Sequence, residues 1–80
     1  MPTDWRPQQV INPVDGQPFT PRAAWHFVLD ALERSEPLKQ IELRAPAGKR
    51  GYVMVIDGIY IKLQLGSGKV IGRSFHYSTV

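Results

Sequence analysis

The segment from Gly51 to Val80 constrains the fold more than any other part of the chain. Two apolar runs, Tyr52-Val53-Met54-Val55-Ile56 and Ile59-Tyr60-Ile61-Lys62-Leu63-Gln64-Leu65, flank Asp57-Gly58. Both turn residues tolerate positive φ, which the tight hairpin turns require. Gly66-Ser67-Gly68 then leads into Lys69-Val70-Ile71-Gly72-Arg73-Ser74-Phe75-His76-Tyr77. The pattern predicts three consecutive antiparallel strands. In the middle strand Ile59, Ile61, Leu63 and Leu65 point one way, while Tyr60, Lys62 and Gln64 point the other.

Upstream, one helix is well punctuated. Thr20 suits the cap, Pro21 the first helical position, and no breaker intervenes from Arg22 to Arg34. Glu36-Pro37 closes it. Trp25, Val28, Leu29 and Leu32 recur at helical spacing and predict a buried stripe, widened by Ala24, Phe27 and Ala31. Arg22, His26, Asp30, Glu33 and Arg34 fall on the opposite side, where His26 and Asp30 read as a solvated pair one turn apart.

Residues 1–19 hold four prolines, which forbid a continuous helix. They predict an extended arm reversing at Asp15-Gly16, with Trp5, Val10 and Ile11 on the body. The arm reads as a structural strap or a partner-binding element. Leu38 to Arg44 suits a short helix or a strand, and a strand from about Ile41 to Arg44 fits better. Residues 45–51 read as a loop. The expectation is one α+β domain over residues 1–80: an arm (1–19), one main helix (20–35) and a three- to four-stranded antiparallel meander (41–80). A helix on one face of such a sheet leaves the other for solvent or a ligand.

No cysteine is present, so disulfides and thiolate metal sites are excluded. No apolar run approaches the ~20 residues of a membrane-spanning helix. The first residues lack the basic start and apolar middle of a secretion signal. These features predict a soluble, cytoplasmic protein. The formal charge is +3, and its distribution is uneven. From Lys49 onward there are five cations (Lys49, Arg50, Lys62, Lys69, Arg73) and a single acid, Asp57. The sheet half is therefore the electropositive half, as a phosphate-bearing partner requires. Its shortage of acids argues against a two-carboxylate hydrolase or a magnesium nuclease.

The register of the last hairpin decides which groups share the open face. Pairing Leu63 with Ile71 presents Tyr60, Lys62, Gln64, Ser74 and His76 together and turns Arg73 inward. A one-residue slip exposes Arg73 and turns His76 in. Either version leaves a basic, aromatic and hydroxyl surface suited to RNA. Cleaving RNA without a metal needs a base for the ribose 2′-hydroxyl, charge stabilisation at phosphorus and a proton for the 5′-oxygen. His76 is the candidate acid or base, Arg73 and Lys62 the candidate phosphate-binding groups, and Tyr60 a stacking or proton-donating partner. Lys49 and Arg50, in their glycine-flanked loop, and Gln64, Lys69 and Ser74 are candidate nucleic-acid contacts. Gly48-Lys49-Arg50-Gly51 lacks the length and the Ser/Thr of a nucleotide-binding P-loop.

The sequence "Tyr60, apolar, Lys62, apolar, polar, apolar", a short turn, then Val70-Ile71 and Ser74-Phe75-His76 resembles the C-terminal hairpin of the motility-quorum-sensing-regulator toxins. Those belong to the RelE-like group of small bacterial messenger-RNA interferases. The resemblance covers about twenty of the eighty residues, and the order of helix before sheet agrees with it. It places Lys62 on the RNA-facing side and His76 where the family has a terminal basic residue. The family's longer helical N-terminal part has no counterpart here. What the resemblance implies is a cofactor-free endoribonuclease of a toxin–antitoxin pair, with messenger RNA and a neutralising antitoxin protein as partners and no membrane association. The alternative is a non-catalytic nucleic-acid- or protein-binding module of phage or mobile-element origin.

Overall fold

In a computed structural model the chain is described over residues 4–34, 36, 38–42, 50–66 and 68–78. Five strands, β1 (Asp4–Trp5), β2 (Lys39–Glu42), β3 (Arg50–Ile56), β4 (Ile59–Gly66) and β5 (Lys69–Tyr77), form one sheet with a single α-helix, α1 (Pro21–Glu33), against it. The order across the sheet is β1-β5-β4-β3-β2. β2 to β5 make the antiparallel meander, whereas β1 runs parallel to β5. The sheet is therefore five-stranded and mixed, where a purely antiparallel one of three to four strands was expected. The extra strand comes from the arm, and it is too short for any period-two signal to reveal.

The arm is built around local hydrogen bonds. A 3₁₀ turn at Pro7–Gln9 follows β1, and Val10 is fully buried. The Asp15-Gly16 reversal is held by the Asn12 side chain, whose Oδ1 accepts from the Val14 N–H at 2.9 Å, and by an Ile11–Pro18 bridge. Ile11 itself is exposed, contrary to expectation, but its N–H donates to the Tyr77 hydroxyl at 2.9 Å. That bond staples the arm to the last strand.

α1 begins where Thr20 and Pro21 place it. The Thr20 hydroxyl accepts from the Ala23 N–H at 3.1 Å, satisfying one of the free donors of the first turn. The buried face is Ala24, Phe27, Val28 and Ala31. Trp25 is only half-buried, and Leu29 and Leu32 are exposed, so the contact face is rotated from the expected stripe. Phe27 and Trp25 reach from the helix to Phe75 and Trp5 on the sheet side. Beneath them Phe75 is fully buried, with rings of Trp5, Phe19 and Phe27 packed around it at centroid distances of 5.2, 4.9 and 6.4 Å. Met54, Ile56, Ile59, Ile61 and Leu63 complete the core, each such buried side chain contributing roughly 1.5–3 kcal/mol.

The first meander strand lies at Lys39–Glu42, two residues earlier than expected, and Leu43 and Arg44 fall outside the described residues. β3 starts at Arg50, so the expected loop gives up Arg50 and Gly51 to the strand. Asp57 and Gly58 make the β3–β4 turn with φ of 52° and 77°, and Ile56 faces Ile59 across it. Among the described residues no helix is long and apolar enough to cross a membrane.

Candidate nucleic-acid interface

The β4–β5 hairpin takes the one-residue slip near its turn and, past a bulge, a register that neither sequence reading contains. Tyr60 faces His76, Ile61 faces Phe75 and Lys62 faces Ser74, and beyond a bulge Leu63 faces Gly72 and Gln64 faces Ile71. Arg73 is the residue the bulge inserts, between Gly72 and Ser74, and it is half-buried. The bulge keeps Phe75 on the helix side with Ile61 and leaves His76 on the other face, while Ile71 pairs with Gln64 on the open face and is exposed. Leu63 therefore pairs with Gly72 rather than Ile71, and His76 stays on the face away from α1 with Tyr60 and Lys62.

Rows of side chains cross this open face. One runs Lys39, Val53, Lys62, Ser74, Asp4 through all five strands. The next holds Val55, Tyr60 and His76, and Arg6, whose N–H donates to the Phe75 carbonyl at 3.1 Å, lies level with His76. The rings of Tyr60 and His76 stack with centroids 5.3 Å apart and planes 19° from parallel. The Nδ1 of His76 lies 2.9 Å from the Tyr77 carbonyl oxygen. A carbonyl only accepts, so Nδ1 carries the hydrogen and the neutral ring keeps its lone pair on Nε2. Backbone and stacking thus fix both the tautomer and the plane of the imidazole. Tyr60, Lys62 and His76 are half-exposed, while Lys39 and Val55 are open to solvent.

Not every candidate joins them. Ser74 and Gln64 lie on this side of the sheet but are only 3% and 6% exposed, so neither offers a surface contact. Lys69 is exposed at the far end of the hairpin, paired with Gly66, six residues or ~20 Å along β4 from Tyr60. Arg50 faces Leu65 and alternates with the buried Met54 and Ile56, which puts it on the helix side. Lys49 lies outside the described residues. Two further charges join the face, Arg6 and Asp4, ion-paired at 3.7 Å. Nothing in the sequence marks them, because their position depends on the two-residue parallel strand. His26 is exposed, and the neighbouring Asp30 pairs with Arg34 at 3.5 Å.

No family model, curated protein or solved structure matches this chain.

Proposed function

We propose that the face of the sheet opposite α1 binds single-stranded RNA, and that the protein is a toxin-type, metal-independent endoribonuclease acting there. One observation carries this reading: the stacked Tyr60–His76 pair, with Lys62 next to it on β4 and no element of the described chain packed over it. A sheet face carrying aromatic rings, flanked by the exposed aliphatic Val55 and by cations, offers bases a stacking surface and phosphates a counter-charge. Lys39 and Lys62 stand two strands apart, about 10 Å, a spacing that serves neighbouring phosphates of an extended strand.

In the reaction, Nε2 of His76 takes the proton of the ribose 2′-hydroxyl as that oxygen bonds to phosphorus. Lys62 stabilises the charge that builds on the phosphorane oxygens. The P–O5′ bond breaks, and a proton from Lys62 or the Tyr60 hydroxyl passes to the leaving oxygen. The products are a 2′,3′-cyclic phosphate and a free 5′-hydroxyl. An antitoxin protein is the expected neutralising partner.

Incubation of the purified protein with a mixed-sequence single-stranded RNA in EDTA tests this. The expected result is fragments ending in cyclic phosphate, lost in His76→Ala, together with growth arrest on expression in a bacterial host. Binding without cleavage would reduce the face to a recognition surface. Absence of RNA binding at low salt would overturn the proposal as a whole.

A further inference from the structure

α1 carries more apolar surface than the sheet covers. Leu29 is 55% exposed, Leu32 40% and Val70, across from them on β5, 50%. With Trp25, Val28 and Leu63 these side chains line an open groove of about 360 Å³ along the flank of the helix. Together these exposed side chains form one apolar strip on the flank of the helix, open to a partner of matching shape and charge.

The charges beside the strip indicate which molecule. At 100° per residue, Trp25, Leu29 and Leu32 form one seam, and Arg22 and Glu33 lie together along its outer border, near opposite ends of the helix. Both are exposed, and among the described residues neither takes part in an ion pair. When two helices pack antiparallel, residues on the same border of each seam face one another. A two-fold axis passing between Val28 and Leu29 sets Trp25 of one copy opposite Leu32 of the other. It also brings Arg22 to within about 3 Å, measured along the axis, of Glu33 in the second copy. The pair forms twice, so the border is self-complementary.

We propose that the α1 flank is an isologous interface and that the protein forms a two-fold dimer through Trp25, Leu29, Leu32 and Val70, with reciprocal Arg22–Glu33 ion pairs. α1 and the Tyr60–His76 face lie on opposite sides of the sheet, so dimerisation leaves both open faces free. The inference therefore stands whether or not those faces bind RNA.

Sedimentation equilibrium of the full chain over a range of concentrations reads this directly. The expected result is a concentration-dependent rise from the 9.0 kDa monomer mass to twice that value. Leu29→Glu should hold the protein at the monomer mass with an unchanged far-UV circular dichroism spectrum, since the site is solvent-facing. Arg22→Glu and Glu33→Arg should each weaken the dimer about tenfold, because each reversal acts twice in a two-fold assembly. The double reversal should restore it. A monomer at all concentrations would overturn the proposal, as would a dimer indifferent to Leu29→Glu. A double reversal no tighter than the single ones would overturn it as well.

Discussion

Trp5 lies directly over Gly72. A Cβ built at Gly72 would stand 2.5 Å from the nearest atom of the Trp5 ring, a distance no pair of carbon atoms tolerates. The glycine next to the bulge is thus the floor on which the arm's tryptophan rests. The ring in turn stacks on Trp25 of α1 with centroids 5.0 Å apart. Gly72→Ala should push Trp5 off the sheet and lower stability by roughly 1–3 kcal/mol, read from urea unfolding. The same substitution in a Trp5→Ala background should cost much less. Equal costs in the two backgrounds would mean that Trp5 does not occupy this place.

Phe75 joins the arm, the helix and the sheet in one aromatic cluster, since Trp5, Phe19 and Phe27 all set ring edges or faces against it. A chain of this length buries only about 60% of the surface it exposes when unfolded, so its margin is small. Phe75→Leu should leave a shallow cavity and lower the urea midpoint clearly. Phe75→Ala, with a typical cost of 3–5 kcal/mol, should leave little folded protein at 25 °C.

The elements whose signals are local were legible in the sequence. Thr20-Pro21 opens α1, Asp57-Gly58 turns β3 into β4, and Ile59, Ile61 and Leu63 face the core as their alternation requires. What escaped depends on contacts between distant segments. β1 exists only because Asp4 and Trp5 reach Ser74 and Phe75, some seventy positions away. The rotation of α1 was hidden because Trp25, Leu29 and Leu32 are as apolar as the residues it buries, Ala24, Phe27, Val28 and Ala31. The register escaped for a related reason. The half of the hairpin next to the turn follows the one-residue slip, but the bulge at Arg73 shifts the other half once more, and no period-two reading contains an inserted residue. Alternation puts Tyr60 and Lys62 on one face of β4, but it leaves the side of His76 open until the bulge sets it, and Arg6 joins that face only through the parallel strand.

On the proposed mechanism, the fixed imidazole allows binding to be separated from chemistry at His76. His76→Asn retains a donor near the Nδ1 position, able to reach the Tyr77 carbonyl, and removes Nε2. It should bind RNA with close to wild-type affinity while cleavage falls by about 10²-fold or more, the usual size of a general-base contribution. Tyr60→Phe should preserve the ring stack and the affinity, and Tyr60→Ala should lose both. Affinity that fell equally in Tyr60→Phe and Tyr60→Ala would place the contribution in the hydroxyl rather than the ring.

Position on the two faces of the sheet makes the cations distinguishable by salt. Lys39 and Lys62 share the open face, whereas Arg50 lies on the helix side although it precedes the same sheet residues in the chain. Each phosphate neutralised by a lysine adds about 0.7 to the slope of log affinity against log salt for a single strand. Lys62→Ala and Lys39→Ala should each lower that slope by about this amount and weaken binding uniformly across RNA sequences. Arg6→Ala should act in the same direction but more weakly, because Arg6 follows β1 level with His76 and already pairs with Asp4. Arg50→Ala should leave the slope unchanged. A slope that falls with Arg50 and not with Lys62 would move the RNA to the helix side of the sheet, where Leu29 and Val70 rather than Tyr60 and His76 would lie beneath it.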